Sequence, residues 1–407
     1  LRLVGSEMCI RDSKKTSYMW VTVEEGGTPL TYITVRQSPM YHQMTLEEFL
    51  FHDFRAPVVI NDNMANTKTY RVDNVSEKFL GKINVEGLVM KLKRYNQSTV
   101  ELRRQKRSSL YHTFHIPKKS GGLRKIDAPC PELMGALRNL KSIFENDFHA
   151  LYHTSAFAYI TNRSTIDAVR RHQQNESKWF AKLDLHNFFG STTIDFVMQM
   201  FSMVFPFSEV VKTPEGASEL RTAMELAFLD GGLPQGTPVS PIITNIMMIP
   251  IDFHLYNGLR EFENQRFVYT RYADDFIISS KFDFDVSKVE AFVVDTLKQF
   301  RAPFSINEKK TRYGSSAGRN WNLGVMLNKD NEITVGNKKK KQFQTMLFNY
   351  IMDKKNGVEW DKGDIQVMYG LYNYYRMVEK DTIDRIVKHM NEKLDVNVIK
   401  MIKDDIR

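Results

Sequence analysis

Two adjacent carboxylates between apolar runs are the feature of this sequence best suited to chemistry. They are Asp274 and Asp275, in the run Val268-Tyr-Thr-Arg-Tyr-Ala-Asp-Asp-Phe-Ile-Ile-Ser279. Asp is common in turns, so the doublet taken alone is simply explained as the polar tip of a hairpin. The tip nevertheless lacks the Gly or Asn that such turns favour, and its apolar flanks would crowd the two charges. A pair of divalent cations would neutralise them, and carboxylate oxygens are ligands that suit Mg²⁺.

A third carboxylate, Asp184, stands ninety residues upstream in the run Lys182-Leu-Asp-Leu-His-Asn-Phe-Phe189. Two-metal phosphoryl transfer needs a carboxylate from another strand, because the ions lie about 3.5–4 Å apart and must be bridged. Asp184 ends an apolar run that predicts a buried strand, and a turn and a new helix follow. An Asp at a helix N-terminus is the simpler interpretation of this residue by itself. The bulky Phe189 follows five residues later, where it would lie under a sugar ring.

The composition is that of an ordinary globular protein, with 42% apolar and 26% charged residues among 407. No run approaches the roughly 20 apolar residues that span a bilayer, so we do not expect a membrane protein. The two cysteines, Cys9 and Cys130, provide neither a disulfide framework nor a zinc cluster, which agrees with a cytoplasmic location. The segment Leu1–Ser13 begins without Met and shows no regular periodicity, so we expect it to be a spurious leader.

Positive charge is concentrated in one segment of the chain. The net charge is +9, and between Lys91 and Lys125 eleven Lys or Arg residues stand against one acid, Glu101. Such a segment attracts phosphates through counterion release, so one prediction is a nucleic-acid partner. The other is a solvated surface that aids solubility, and charge alone does not separate the two.

Hydrophobic periodicity and turn residues predict a mixture of strands and helices. The predicted elements are a hairpin at 18–35, helices in the second half of 46–110, a strand pair at 111–126 around Ser120-Gly-Gly122, a buried strand at 179–185, a helix from an N-cap at Ser240 to about 259 with a kink at Pro250, a strand pair at 267–280, an amphipathic helix at 289–300, a second hairpin at 323–335 and helices after Gly336.

Three segments, in order, resemble the A, B and C motifs of reverse transcriptases. They are Lys182–Phe189, Gly232–Pro241 with Asn245, and Tyr272–Asp275. Similarity continues on both sides, from about residue 105 to 395. The flanking matches are Ile116–Ile126 to the fingers hairpin, Asn307–Thr311 to motif D, Asn322–Gly324 to the primer-grip motif E and Gly370–Tyr375 to the thumb helix of bacterial members. Any one of these motifs is weak evidence, but seven in the expected order identify the class.

The resemblance implies an α+β fold of the right-hand polymerase type, with fingers, a ferredoxin-like palm and a helical thumb. The implied divisions are the leader at 1–13, an N-terminal extension with a β-hairpin and a helical basic segment at 14–104, fingers and palm at 105–336, and the thumb at 337–407.

The resemblance also implies the residues that do the chemistry. Asp184 and Asp274 would hold two Mg²⁺ ions, for which Mn²⁺ is an alternative, with help from the Leu185 backbone carbonyl. Asp275 would be a supporting carboxylate at the same metal site. Lys310, or its neighbour Lys309, would be the general acid that protonates pyrophosphate, and a solvated charge is the alternative for that lysine.

Contacts to the incoming nucleotide follow from the same resemblance. Lys118 or Lys119, together with Arg124, would hold the triphosphate, because a planar guanidinium matches phosphate oxygens in bidentate fashion. Phe189 would exclude a ribose 2′-hydroxyl and so favour deoxynucleotides.

Further residues would contact the template and the primer. Gln235 and Gly236 would lie against the incoming nucleotide and the templating base, since Gly allows a close backbone approach. Leu323 and Gly324 would form the primer grip. The run Lys338–Lys341 would begin a thumb helix along the template–primer minor groove, although helical geometry points the four side chains in different directions.

The implied function is RNA-directed DNA synthesis with dNTPs on an RNA template, from a DNA or RNA primer. The core is retron-like, yet we find neither the Asn-Ala-x-x-His nor the Val-Thr-Gly element typical of retron enzymes. A mobile element or antiviral defence is the expected setting, and a structured noncoding RNA or a neighbouring-gene product is a further candidate partner. Two alternatives stay open: a defence-type enzyme that makes untemplated or protein-primed DNA, and a non-catalytic RNA-binding relic of the fold.

Overall fold

The computed structural model describes residues 85–117, 121–146, 152–262, 266–316 and 324–406, and before residue 85 it describes the backbone of four strands. The strands are β1 (Arg2–Leu3), β2 (Thr16–Glu25), β3 (Thr28–Gln37), β4 (Thr67–Arg71), β5 (Tyr111–Pro117), β6 (Leu123–Pro129), β7 (Trp179–Asp184), β8 (Val268–Tyr272), β9 (Asp275–Ser280), β10 (Arg312–Ser315), β11 (Met326–Leu327) and β12 (Ile333–Thr334). The helices are α1 (Val85–Ser98), α2 (Val100–Arg104), α3 (Pro131–Asn146), α4 (Thr165–Gln174), α5 (Phe188–Ser191), α6 (Ile194–Phe201), α7 (Phe207–Val210), α8 (Pro214–Glu225), α9 (Ser240–Met247), α10 (Ile249–Glu261), α11 (Val286–Gln299), α12 (Asn337–Lys355), α13 (Lys362–Val378), α14 (Lys380–Leu394) and α15 (Val398–Ile406).

A four-stranded antiparallel sheet lies at the centre of the fold. Its strand order is β10-β7-β9-β8. Helices α5–α10 connect β7 to β8, and α11 connects β9 to β10. This is the β-α-β-β-α-β arrangement of a ferredoxin-like sheet, as expected for the palm. The predicted strands at 179–185 and 267–280 are therefore confirmed.

Each face of the sheet contributes to a different hydrophobic core. Successive side chains of a strand point to opposite faces. Leu183 and Phe276 face a large core built with helices α1, α3, α6 and α8–α11. Phe180 and Ile277 face a second core built with β11, β12 and helices α12–α15. Both faces of the sheet thus contribute buried side chains, which explains why apolar residues occupy successive positions in β7 and β9.

The helical region predicted after Gly336 is confirmed, and it is anchored to the hairpin β11–β12. The Glu379 carboxylate accepts hydrogen bonds from Thr334 Oγ1 and from the backbone N–H of Val335, each at 2.8 Å. Lys340 Nζ donates to the other carboxylate oxygen at 2.8 Å. One mostly buried acid therefore connects the short hairpin to the start of α12 and the end of α13.

The predictions for the first hairpin and for the fingers strands are also confirmed. Strands β2 and β3 pair antiparallel with Tyr18 opposite Val35. Strands β5 and β6 pair along their length, with Pro117 opposite Leu123. Helices α1 and α2 confirm the helical second half of the 46–110 segment.

The prediction of one kinked helix from Ser240 to about 259 is wrong in two respects. The N-cap is Val239, and Ser240 lies inside α9, where its hydroxyl bonds the Pro234 carbonyl oxygen at 3.1 Å. Pro250 lies in the first turn of a separate helix, α10, after Met248. Proline has no N–H to donate to a preceding turn, so a new helix begins there instead of a kink.

Within the described residues, no helix is both long enough and apolar enough to cross a membrane.

Close backbone packing beside the third carboxylate gives a stability prediction. An ideal Cβ at Gly232 would lie 2.1 Å from the carbonyl oxygen of Gly190. We expect Gly232→Ala to lower the free energy of unfolding by about 2 kcal/mol, because backbone must move to accept the methyl group. Chemical denaturation measures this. The matched control is Gly370→Ala in α13, where nothing lies within 4 Å. Gly370→Ala should have a free energy of unfolding equal to or higher than that of the wild type. If Gly232→Ala proves as stable as Gly370→Ala, the packing argument is contradicted.

Candidate active site

The carboxylate doublet lies at a two-residue hairpin between β8 and β9. Tyr272 and Asp275 form the last cross-strand pair, so Ala273 and Asp274 make the turn. Ala273 has φ of +56°, a left-handed conformation that costs a residue with a Cβ about 1–2 kcal/mol. The tip lacks the Gly expected of a simple turn and accepts this strain, which is typical of functional sites.

Asp184 lies beside this hairpin because β7 pairs with β9. Asp184 and Asp275 are direct cross-strand partners, and the backbone N–H of Leu185 donates to the Asp274 carbonyl oxygen at 3.0 Å. The three carboxylates therefore come from one end of the sheet, although ninety residues of sequence separate the first from the doublet. The segment around Asp184 and the segment around the doublet, which resemble two separate family motifs, are therefore adjacent in space.

Two polar side chains from the loop before β10 bind Asp184. Asn307 Nδ2 donates to Oδ1 at 3.0 Å, and Lys310 Nζ lies 2.9 Å from Oδ2. Asp184 is 3% exposed, whereas the Lys310 side chain is 57% exposed. Lys310 thus reaches from solvent to a buried carboxylate.

A second lysine neutralises Asp275. Lys182 Nζ lies 2.7 Å from Asp275 Oδ2, and both side chains are mostly buried. Lys182 and Asp184 are two residues apart on one strand and so point to the same face of the sheet. The resemblance to the family motifs gave Lys182 no role. Its spacing of two residues from Asp184 is the sequence signal that could have identified it as part of the site.

The electrostatics of the doublet show a shortage of positive charge. Burial, together with the nearby charges of Asp275 and Asp184, raises the pKa of Asp274 to about 6. Burial also raises the pKa of Asp275, against the opposing effect of Lys182. The carboxylates alone are therefore poorly compensated at neutral pH.

The donor set fits a hard divalent cation, because it consists of carboxylate oxygens that lie together at one end of the sheet. As the side chains stand, the described residues contain no group of three His, Cys, Asp or Glu side chains arranged to hold a metal ion. Lysines bind two of the carboxylates, Asp184 and Asp275. A metal would compete with these lysines for the same oxygens.

A cavity of about 1010 Å³ opens at this end of the sheet. It is lined by seven of the residues that the sequence predicts for the site, namely Arg124, Asp184, Leu185, Phe189, Gln235, Asp274 and Lys310. Strands β5 and β6 form one wall, through Ile116, Pro117 and Leu123. Residues that are up to nearly two hundred positions apart in the sequence thus line the same cavity.

The loop before α9 is bound to the fingers hairpin. The backbone N–H of Asp127 donates to the Gln235 carbonyl oxygen at 2.9 Å. Gly236 has φ of +118°, and an ideal Cβ there would lie 3.1 Å from the Asp127 carbonyl oxygen. Gly236 is outside the cavity lining, so its contact in the structure is with the fingers strand. Asp127, which also accepts from Thr113 Oγ1 at 2.6 Å, is a further site residue without a sequence signal.

Some predicted site residues lie elsewhere or outside the described residues. Lys118, Lys119 and Leu323 are outside them. Asp275 is beside the cavity but not in its lining. Gly324 has φ of +89°, and its carbonyl oxygen accepts from Lys339 Nζ at 2.5 Å, so the predicted primer grip is bonded to α12.

Three basic residues of the 91–125 segment have partners within the described part of the chain. Lys93 pairs with Glu215, and Arg104 pairs with Glu101 at 2.7 Å. Arg103 donates to Thr99 Oγ1 at 2.7 Å and to the carbonyl oxygen of Asn96. Several charges that the sequence counts toward phosphate binding are therefore used within the fold.

The four lysines at the start of α12 divide in the same way. Lys339 bonds Gly324 and Lys340 bonds Glu379, whereas Lys338 and Lys341 are exposed. The two exposed lysines line a groove of about 570 Å³ with Asn337, Gln342 and Thr345. Helical geometry thus leaves two of the four facing solvent.

The raised pKa of Asp274 gives a prediction about stability and pH. The folded protein binds this proton more tightly than the unfolded chain, so the fold loses stability as pH rises from about 4 through 6. We expect Asp274→Asn to raise the free energy of unfolding of metal-free protein at pH 7.5 by about 1–2 kcal/mol. The gain should shrink at pH 5, where wild-type Asp274 is mostly protonated.

Urea unfolding in EDTA at the two pH values measures this difference. The exposed substitution Asp404→Asn is the control and should change little at either pH. An Asp274→Asn protein that is less stable than wild type at pH 7.5 would show that the carboxylate is better solvated than its burial indicates.

Comparison with known proteins agrees with the geometry of the site. A model of the family "Reverse transcriptase (RNA-dependent DNA polymerase)" matches residues 116–346, more than half of the chain. The chain is 27% identical to the retron Ec83 reverse transcriptase of Escherichia coli over 309 residues, which are 72% of this chain and 89% of that protein. It is 30% identical to the retron Ec73 reverse transcriptase of Escherichia coli over 212 residues, 50% of this chain and 64% of that protein.

Among solved structures, the chain is similar to telomerase from Candida albicans in complex with a TWJ fragment of telomeric RNA. The TM-score is 0.42 at 13% identity, over 68% of this chain and 54% of that chain. The chain thus spans about half the length of that telomerase.

The family match covers the end of β5, all of β6, the whole central sheet and the start of α12. Members of the family generally use divalent metal ions. The chain belongs to the reverse transcriptase family, and it is an RNA-directed DNA polymerase with the right-hand fold.

Proposed function

We propose that the chain extends a primer with dNTPs by two-metal phosphoryl transfer at Asp184 and Asp274, with an RNA template. The observation that carries this proposal is the convergence of three carboxylates at one end of the sheet, beside a cavity of about 1010 Å³. Basic and polar side chains of the fingers and of the loop before α9 face the same cavity. This combination suits a triphosphate and a metal better than it suits RNA binding alone.

Asp184 and Asp274 would hold two Mg²⁺ ions, or Mn²⁺, with the Leu185 carbonyl as a further ligand. Bound there, the ions supply charge neutralisation and lower the pKa of a primer hydroxyl. Asp275 would support the site from beside it, because Lys182 already neutralises this carboxylate. The unequal surroundings of the two members of the doublet support unequal roles.

The cavity wall provides contacts for the nucleotide. Arg124 is exposed on β6 and lines the cavity, so its guanidinium is available for a triphosphate. Phe189 lines the cavity five residues after Asp184 and packs edge-on against Phe188, with ring centroids 5.5 Å apart. A ring held in this way would sterically exclude a ribose 2′-hydroxyl.

Lys310 is proposed as the general acid for pyrophosphate. Its ammonium group lies 2.9 Å from Asp184 Oδ2, and more than half of its side chain is exposed to the cavity side of the site. A proton donor needs to reach the leaving group, and a long side chain beside the metal-binding carboxylate satisfies this requirement.

The retron relatives favour a particular template. Both E. coli relatives are named as retron reverse transcriptases, and one of them is matched over most of its length. We propose that this chain copies a structured noncoding RNA encoded nearby, from a DNA or RNA primer, and that products of neighbouring genes are its protein partners.

Primer extension on a defined RNA template tests the proposed function. Wild-type protein with Mg²⁺ and dNTPs should extend the primer, and Asp184→Asn and Asp274→Asn should each lower the rate at least about 10³-fold. Binding of the template–primer should stay within a few-fold of wild type. The exposed Asp404→Asn variant is the control for substitution of a carboxylate remote from the cavity.

The product sequence adds a second criterion. A DNA copy of the supplied RNA supports the proposal, whereas DNA unrelated to the template would indicate untemplated synthesis. Tight RNA binding without any extension would identify a non-catalytic relic.

Substitution of Phe189 tests selection of the sugar. Phe189→Ala should raise ribonucleotide incorporation relative to dNTP by at least about 10-fold, because removal of the ring opens space for the 2′-hydroxyl. Steady-state incorporation of a single dNTP or rNTP measures the ratio. Phe282→Ala is the matched control, since Phe282 is 64% exposed and lies outside the cavity lining. An unchanged ratio in Phe189→Ala would remove this role from Phe189.

A further inference from the structure

A fully buried ion pair lies directly behind the catalytic hairpin. The side chains of Arg271 and Asp252 are both 0% exposed. Arg271 Nε donates to Asp252 Oδ1 and Arg271 Nη2 donates to Oδ2, both at 2.8 Å. This two-point geometry fixes the plane of the guanidinium against helix α10.

Stability is a weak explanation for such a pair. Taking two charges out of water is costly, and apolar side chains of the same volume often serve a core equally well. Arg271 is also only three residues before Asp274, on the strand that leads into the hairpin. A role connected with the hairpin explains why a buried charge is placed at this position.

The remaining nitrogen of Arg271 contacts the turn itself. Arg271 Nη1 donates to the Ala273 carbonyl oxygen at 3.3 Å and to Asn245 Oδ1 at 3.2 Å. Ala273 is the residue with φ of +56°. The guanidinium therefore holds the carbonyl of the one turn residue whose backbone is strained, and that residue directly precedes Asp274.

Surrounding contacts leave Arg271 little freedom to move. Its backbone N–H donates to the Ser155 carbonyl oxygen at 2.7 Å, and its carbonyl accepts from the Phe157 N–H at 2.9 Å. Asn245 Nδ2 donates to the Ala158 carbonyl oxygen at 2.8 Å. Tyr269 OH donates to Asp252 Oδ1 at 2.8 Å. The pair is thus fixed by α9, α10 and the 155–158 segment before it contacts the hairpin.

We propose that Asp252 and Arg271 are positioning residues that maintain the left-handed conformation of Ala273 and thereby direct Asp274 toward the metal site. The proposal rests on the metal-binding role proposed above for Asp274. It assigns a catalytic consequence to a pair that contacts neither nucleotide nor metal. It also explains how an alanine occupies a backbone conformation that glycine adopts without strain.

The test combines Arg271→Lys with Ala273→Gly. Lysine retains the charge opposite Asp252 but has no planar fork, so it cannot bond Asp252 and the Ala273 carbonyl together. We expect Arg271→Lys to lower kcat at least 10-fold and to raise the Mg²⁺ concentration for half-maximal rate several-fold, with KM for the template–primer unchanged. Mn²⁺ binding followed by electron paramagnetic resonance should weaken by a similar factor, which is a readout independent of activity.

Rescue by glycine separates positioning from simple stabilisation. Glycine adopts φ of +56° without a Cβ penalty, so the double variant should recover much of the loss, measured against Ala273→Gly alone. A merely structural Arg271 would give no such recovery. The control is Tyr350→Phe, which removes the hydrogen bond from Tyr350 OH to Asp405 Oδ2 and none from the ion pair or the hairpin. It should lower the melting temperature while kcat and the Mg²⁺ dependence stay at wild-type values.

If Arg271→Lys does not fold, the isosteric Asp252→Asn replaces it in the same comparison. A folded variant with wild-type kcat and wild-type Mn²⁺ affinity, or a loss that Ala273→Gly does not reduce, overturns the positioning role. Full activity of Asp274→Asn would instead overturn the proposed function. An inactive Asp274→Asn beside a fully active Arg271→Lys would reject the positioning role alone.

Discussion

The antiparallel pairing of β7 with β9 is the constraint on which the rest of the site depends. It places Asp184 opposite Asp275 and brings the N–H of Leu185 to the Asp274 carbonyl oxygen. Because side chains alternate along a strand, a slip of one residue would turn Asp184 to the other face of the sheet. Apolar side chains that enter two different cores prevent this slip, so packing far from the cavity determines the geometry of the carboxylates.

That geometry concentrates negative charge in a partly buried place, and nearby lysines compensate part of it. Lys182 and Lys310 bind two of the carboxylates through long side chains. Arg271 is immobile, and its charge is matched by Asp252 in the core. The site thus contains cations that bind the carboxylates directly and one that binds the backbone of the turn, and rigid support of this second kind is common in preorganised active sites.

The sequence predicted much of this architecture because its strongest signals are local. Alternation and apolar runs located β7–β9, the fingers hairpin and α11, and motif order placed seven site residues that do line one cavity. Prediction failed at Ser240 and Pro250, where hydrogen bonds with a neighbouring loop and the missing proline N–H determine the helix boundaries. The partner of Lys93 could not be predicted either, because Glu215 is distant in sequence.

By itself, the sequence determined the class of the protein, the identity of the three carboxylates and the order of the elements that carry them. These follow from residue type and spacing, which a chain carries whether or not it is folded. Only the tertiary structure decided which lysines neutralise the carboxylates, which of Lys338–Lys341 face solvent, and that Arg271 lies under the hairpin with Asp252. The physical reason is that a charged side chain acquires its role from its partner, and here the partners come from separate elements that packing alone brings together.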